Sequence, residues 1–481
     1  MLFDSPAYLL FLILVVPTYW ILRHKAQNKF LLAASYFFYG WWDWRFLALI
    51  LISTLVDFVC ARSIDRSANP VKRRTLLTVS VVLNIAFLGF FKYFNFFEQS
   101  AAAALATLGI PVPVHLLHVL LPPGISFYTF QALAYITDVY FRRQKPAESL
   151  IDYALFISLF PHLIAGPIQR PSHLLPQVQR ERQFSSSQFL DGLMLIASGL
   201  FRKCVVADTC ALMANAAFSG RLGPPDLPKT LLGMYAFAWQ IYGDFSGYSD
   251  IARGSAQLMG FHFMVNFRQP YLSRSLQEFW RRWHISLSTW LRDYLYIPLG
   301  GSRDGEARTY RNLMITMLLG GLWHGANWTF VIWGGIHGCW LSLERFFNNL
   351  TRRPAAAGHR ETGEPGSALL SPRAWVQRIL LFHLVGVTWV FFRATSLREA
   401  VLFLTGLGHW NWEPEYGVAF RYLALVVIPL FLLDLALEAR NEEYVFEKSP
   451  EIWRVAAATS LVAVVMLFSA NQIGAFIYFQ F

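Results

Sequence analysis

Three histidines lie in strongly apolar surroundings: His284 in RRWHISLSTW, His324 in LLGGLWHGANW and His337 in WGGIHG. Imidazole titrates near neutrality, so it can take up and return a proton under ordinary conditions. Ionisable groups at membrane depth are costly and point to function. Proton transfer is therefore the chemistry these residues suit best. His324 is the first candidate for the proton acceptor, and His284 for a supporting group. Trp323, Asn327 and His337 are supporting candidates within reach of the same cavity, Trp323 and Asn327 reading chiefly as scaffolding of its loop and His337 as part of its wall. Arg281 and Arg282 are candidates for meeting phosphates or water. The competing reading of His284 is a packed histidine on a basic interfacial helix.

Two elements must position these residues. The spacing predicts one amphipathic helix from Leu276 to about Ile297, with Leu276, Trp280, Trp283, Leu287, Leu291 and Tyr294 on one face. Glu278, Arg281, Arg282, Arg292 and Asp293 fall on the other face, as in a helix lying in the membrane interface. The second element is the apolar run Leu313–Trp323, which starts beside Arg308 and Arg311. As a helix it covers roughly 16 Å, about half of the ~30 Å hydrocarbon core. Gly320 and Gly321 are expected to loosen it, leaving His324 near the midplane at a helix break. Broken backbone at that depth is tolerated where it is buried in protein or lines a wet cavity. Asn327 then reaches the same cavity, and His337 lies on its wall from the returning segment Trp328–Leu343.

The composition suits such a setting. The 481 residues are 55% hydrophobic and only 15% charged, too apolar for an ordinary soluble surface. A net charge of +11 fits Lys and Arg concentrated in cytoplasmic loops. Basic residues scattered between apolar spans give no footprint for nucleic acid. Cys60, Cys204, Cys210 and Cys339 lack metal-type spacing, and no metal site is expected. The G-x-S-x-G, P-loop and H-E-x-x-H patterns are absent. The first apolar run, Tyr8–Leu22, lacks a basic leader and a cleavage site, and is expected to remain as a span.

The fold class expected is all-α: a polytopic integral membrane protein with roughly 11 transmembrane helices plus re-entrant and interfacial helices. Spans are expected near 8–22, 30–41 and 46–60 as a tight pair, 75–98, 116–141, 188–216, 229–260, 378–393, 397–408, 418–437 and 454–470. RHKAQNK at 23–29 places the N-terminus outside. The segment 153–168, broken by Pro161, Gly166 and Pro167, reads as re-entrant and carries His162. Arg202 and Lys203 interrupt 188–216. Asp244 and Asp250 need partners; the basic residues of 268–312 are one option and a proton relay is another. One membrane-embedded domain, 1–481, is expected. Its parts are N-terminal helices 1–145, a core at about 150–345, a flexible cytoplasmic linker 350–374 and C-terminal helices 375–481.

RRWHISLSTWLRDYLYIPLGG followed by GGLWHGANWTFVIWGGIHG resembles the membrane-bound O-acyltransferase (MBOAT) family. It is most similar to the branch with the alginate O-acetylation membrane protein and the teichoic-acid D-alanyl transfer protein. PPGISFYTFQ (122–131), FPHLIAGPIQRP (160–171) and QIYGDFSGYSDIARG (240–254) extend the likeness over almost the whole chain. The resemblance implies acyl transfer to a hydroxyl, with His324 at the family's catalytic histidine position and His284 at its second polar position. It implies acetyl-CoA as donor with no bound cofactor, the Arg-rich 268–312 face being one place for the donor's phosphates. It implies a bacterial inner membrane, membrane lipid around the protein, and hydroxyls of an exported polysaccharide such as alginate or cellulose as acceptors. It also implies a periplasmic SGNH-type acetyltransferase and polysaccharide secretion proteins as partners. Teichoic acid, peptidoglycan, a lipid or a protein remain alternative acceptors. A transporter or scaffold with structural intramembrane histidines is the alternative from another class, disfavoured by the lack of matching halves.

Overall fold

A chain this apolar can satisfy its backbone in lipid only by internal pairing, and helices do so within each segment. The computed structural model describes residues 1–110, 112–114, 117, 120–220, 223–351, 369, 371–469 and 476–477. Among them the regular structure is helical, with no strand. Two compact units result: Met1–Gly192 with Ala252–Met264, and Leu193–Ile251 with Val265–Phe481. Residues 150–345, expected as the core, contribute to both. Five helical stretches, at His24–Arg66, Pro70–Thr107, Pro372–Arg393, Pro414–Arg440 and Glu451–Phe468, are long and apolar enough to cross a membrane.

The first unit starts with α1 (Pro6–Ile21), capped by Ser5. Leu9, Leu10, Ile13 and Leu14 are exposed on it, while Tyr8, Phe11 and Val15 are buried. An exposed apolar face is what a lipid-facing helix requires. The tight pair is α2 (His24–Asp43) and α3 (Leu47–Arg66), joined by a single 3-10 turn. Helix α4 (Pro70–Leu88) passes through a π-helical turn into α5 (Phe94–Thr107). Polar groups are turned inward. Asn84 of α4 donates to both oxygens of the buried Asp57 of α3, at 3.0 and 3.1 Å, and Ser80 donates as well. The Tyr153 hydroxyl adds a longer bond of 3.4 Å.

Helix α6 (Ile125–Tyr140) starts later than the expected span at 116–141, because Pro122, Pro123 and a left-handed Gly124 precede it. A Cβ at Gly124 would strike the Leu163 carbonyl, so this glycine lets the PPGIS and FPHLIAG segments meet. Helix α7 (Leu150–Ser158) has nine residues, about 14 Å, and ends before Pro161. The one-turn α8 (Phe160–Leu163) buries His162, and α9 (Pro171–Gln179) follows. Such short pieces agree with the re-entrant reading of 153–168.

Helices α10 (Ser186–Leu200), α11 (Asp208–Phe218) and α12 (Leu227–Leu258) come next. A π-helical stretch, Phe201–Ala207, joins α10 to α11 without a break and carries Arg202 and Lys203. In the second unit these two cations are the partners of the α12 carboxylates. Lys203 lies 2.7 Å from Asp208 and 3.0 Å from Asp244. Arg202 lies 3.7 Å from Asp250 and 3.6 Å from Asp434. Pairing with basic residues of 268–312 is therefore corrected. Buried charges cannot stay uncompensated, and the stretch that carries these cations packs directly on α12 at Gly243 and Gly247.

The predicted helix Leu276–Ile297 is also corrected. It is two helices, α13 (Leu276–Arg282) and α14 (Ile285–Leu291), with His284 between them in the left-handed region at φ 43°. A π-helical turn, Arg292–Tyr296, follows. Helix α15 runs unbroken over Glu306–His324, so Gly320 and Gly321 do not loosen it. Gly321 lets it touch its neighbour α16 (Trp328–Thr351), while Gly320 faces Leu291 of α14. A Cβ at Gly321 would overlap the Phe330 carbonyl, and one at Gly334 would overlap that of Met317. The chain ends with α17 (Pro372–Arg393), α18 (Leu397–Thr405), α19 (Pro414–Arg440) and α20 (Glu451–Phe468). Most of the expected 350–374 linker, and the last four residues, lie outside the described residues. Phe476 and Ile477 are buried, with Phe476 stacked 4.1 Å from Tyr248.

Gly334→Val should force α16 away from α15. Overpacking of this kind costs about 1–3 kcal/mol. The expected outcome is a lower melting temperature in detergent, whereas Gly335→Val, where a Cβ meets only Leu318 at 3.5 Å, should melt close to the wild type.

Candidate active site

The α15–α16 contact sets where His324 goes. It is the last residue of α15, followed by an extended Gly325. Its imidazole is buried among aromatic edges: Trp323 at 5.0 Å, Trp333 at 5.2 Å and Phe392 at 5.2 Å between ring centroids. A bulkier residue than glycine at 325 would collide with the Phe330 ring. The helix end is thus fixed by packing on both sides.

His284 arrives from the α13–α14 turn. Its ring centroid is 6.3 Å from that of His324 and 5.7 Å from Trp323, with Phe245 of α12 edge-on at 4.6 Å. Nδ1 lies 3.1 Å from the Asn266 side-chain oxygen. The two histidines named from sequence, 40 residues apart in the chain, are therefore brought together with Trp323. His337 is nearby but separated. Trp333 stands between, with its ring 4.7 Å from His337 and 5.2 Å from His324. The Thr388 hydroxyl donates to the Val385 carbonyl, so it accepts from His337 Nε2–H at 3.0 Å. That bond makes His337 a wall residue tied to α17.

Asn327 does not line the chamber. Its side-chain oxygen accepts from Thr329 N at 3.0 Å, and its amide donates to the Thr395 carbonyl at 3.0 Å. It starts α16 and ties the loop to Thr395, in the turn between α17 and α18, because the turn after Gly325 leaves N-terminal amides that need a partner. Arg281 and Arg282 also part ways. Arg282 makes a forked pair with Glu438 at 2.7 and 2.8 Å and a further bond to Glu278 at 2.9 Å. Arg281 is exposed and has no ion-pair partner among the described residues.

A cleft of about 480 Å³ opens beside Arg281, Arg292, Arg345 and Glu344. It shares Trp280, Ser288, Thr316, Met317 and Leu341 with a smaller chamber of about 100 Å³. That chamber is walled by Leu287, Leu291, Gly320, Trp333 and His324. A polar, cation-rimmed mouth thus leads to an apolar end at one imidazole. Sequence reasoning passed over Arg345 and Asn266. Arg345 sits near the end of a long apolar helix, where no local pattern marks it. Asn266 opens the NFRQP segment as the one polar group after FHFMV, the only local sign of a role.

A family profile described as MBOAT, membrane-bound O-acyltransferase family, matches residues 75–387 and takes in all three histidines. The chain belongs to the membrane-bound O-acyltransferase family. It is 40% identical, over the whole of both chains, to the probable alginate O-acetylase AlgI of Pseudomonas putida. It is 32% identical to the peptidoglycan O-acetyltransferase of Helicobacter pylori, over all of this chain and 98% of that one. Likeness to the teichoic acid D-alanyltransferase of Bacillus subtilis is 27% and covers 51% of this chain and 65% of that one. This membrane-bound O-acyltransferase is accordingly a multi-pass membrane enzyme that transfers acyl groups to hydroxyls.

The two arginines give contrasting expectations. Arg282→Ala leaves Glu438 and Glu278 without their shared cation, at a cost of about 1–3 kcal/mol. Arg281→Ala, at an exposed position, should stay within about 0.5 kcal/mol. Melting of the two purified variants in detergent checks the ranking.

Proposed function

We propose that this enzyme takes acetyl from cytoplasmic acetyl-CoA and delivers it toward hydroxyls of an exported polysaccharide, with His324 as general base. The observation that carries the reading is the cation-rimmed cleft that narrows to a small apolar chamber at His324. Phosphates suit the mouth at Arg281, which has no ion-pair partner among the described residues, while Arg292 and Arg345 beside it are paired with Asp293 and Glu306. A chamber of about 100 Å³ suits an acetyl thioester and not a long fatty chain. The full-length likeness to proteins named for O-acetylation of alginate and peptidoglycan supports acetyl as the group moved.

The chemistry follows from the placement. The acceptor hydroxyl oxygen attacks the thioester carbonyl carbon while His324 takes the hydroxyl proton. The C–S bond then breaks, and the proton passes to the leaving CoA thiolate. His324 must begin neutral to accept that proton. His284 supports the cavity from the other side of Trp323. The acceptor side rests on the relatives, and an exported polysaccharide of the alginate type is the reading they favour. A periplasmic SGNH-type acetyltransferase and polysaccharide secretion proteins are the partners proposed to complete the transfer. The bacterial inner membrane is the proposed location, the Arg-rich 268–312 face looking toward the cytoplasm.

His324→Ala should abolish acetyl ester on the cell's exported polymer at unchanged protein level in the membrane. Full acetylation without His324 would contradict the proposal. In everted membrane vesicles, radiolabelled acetyl-CoA added outside should label the acceptor. Arg281→Ala should raise the donor KM about twofold to fivefold, the worth of an exposed ion pair.

A further inference from the structure

We propose that Asn266 is a positioning residue that decides which nitrogen of His284 carries the proton. This rests on the supporting role of His284 proposed above. Asn266 is buried, and its side-chain oxygen meets three groups: Ser286 N at 3.3 Å, Ser286 Oγ at 2.9 Å and His284 Nδ1 at 3.1 Å. Its amide nitrogen donates to Ser249 Oγ at 3.1 Å. A backbone N–H can only donate, so the Asn266 atom facing Ser286 N must be the oxygen. That fixes the amide orientation. The same oxygen faces His284 Nδ1, so Nδ1 must carry the hydrogen. Nε2 then carries the lone pair.

Asn266 also builds the turn that holds the ring. Its carbonyl accepts from Ile285 N at 2.9 Å, and next to it Arg268 N donates to the Arg282 carbonyl at 3.0 Å. His284 sits at φ 43°, a conformation that costs a non-glycine residue of the order of 1 kcal/mol or more and persists only when its surroundings over-determine it. Asn266 supplies those surroundings from both its main chain and its side chain. Phe245 and Trp323 fix the plane of the ring.

The tautomer matters for the reaction. His324 becomes positively charged when it takes the hydroxyl proton. With the two ring centroids 6.3 Å apart, the tautomer of His284 sets the direction of the imidazole dipole beside that charge, and the other tautomer would reverse it. Asn266 therefore acts through His284 on the rate of the chemical step. Asn266 is not itself among the residues that line the donor cleft.

The test measures acetyl transfer in membranes of equal protein content for Asn266→Ala, Asn266→Asp, His284→Ala and the Asn266→Ala/His284→Ala double variant. Selectively ¹⁵N-labelled histidine NMR on the purified protein is recorded beside it, with the His284 signals identified by their loss in His284→Gln. Asn266→Ala is expected to lower kcat about 10- to 100-fold, as loss of an orienting partner does elsewhere, with donor KM unchanged. The double variant should be no slower than His284→Ala alone, since one residue acts through the other. The Nδ1–H signature should be present in the wild type, lost in Asn266→Ala and kept in Asn266→Asp, whose carboxylate still accepts. Losses that multiply in the double variant, or an Nδ1–H signature that survives Asn266→Ala, would overturn the proposal. Full turnover in His284→Ala would instead sink the role of His284 itself, whatever the spectra show. Should Asn266→Ala fail to accumulate, Asn266→Asp carries the test, and a lost signature there is equally contradictory.

Discussion

The close contact between α15 and α16 is the interaction on which the site depends. Two helices can place their backbones this near only where both lack side chains. Gly321 faces the Phe330 carbonyl and Gly334 faces that of Met317. In lipid there is no hydrophobic gain from pressing apolar helices together, so packing of small residues is what holds them. The consequence is a hairpin whose head, Trp323 to Trp328, has almost no freedom. His324 inherits that rigidity. Its chamber is formed by what the hairpin leaves open against α13 and α14.

The remainder of the protein obeys one rule in two directions. Leucines, isoleucines and phenylalanines are left on the outside of the helices, and polar groups are turned inward and paired. Asp57 is met by Ser80, Asn84 and Tyr153, and Asp244, Asp250 and Asp434 by Lys203 and Arg202. The Tyr153–Asp57 and Arg202–Asp434 pairings tie helices far apart in sequence. Arg202 and Lys203 are neighbours on the π-helical stretch and serve two sets of carboxylates, Arg202 meeting Asp250 and Asp434, and Lys203 meeting Asp208 and Asp244. These networks give α12 the firm seat from which Phe245 and Ser249 reach the His284 turn.

Much of this was legible in the sequence, and the failures share a cause. The all-helical membrane class followed from composition. The pairing of His284 with His324 was signalled by histidines in apolar runs and by the family motifs. The break at His284 was invisible because the apolar periodicity continues across it; the turn is closed by Asn266, 18 residues upstream, and no local pattern reports that. Gly320 and Gly321 were read as loosening their helix. Glycine permits both a break and a close approach, and only Gly334 and Phe330 on the opposing helix decide between them. Arg202 and Lys203 looked like interruptions of a span for the same reason, since their partners lie on α11, α12 and α19. Spacing put Asn327 within reach of the cavity or in the scaffold of its loop, and its bonds to Thr329 N and the Thr395 carbonyl are those of the scaffold.

The central claim is that the basic cleft and the apolar chamber together seat an acetyl donor against His324. A cryo-EM structure of the purified enzyme with a non-hydrolysable thioether analogue of acetyl-CoA tests it most directly. The account predicts the phosphates beside Arg281 and the acyl end in the chamber, next to the His324 imidazole. Density for the analogue with its acyl end away from His324 would contradict it.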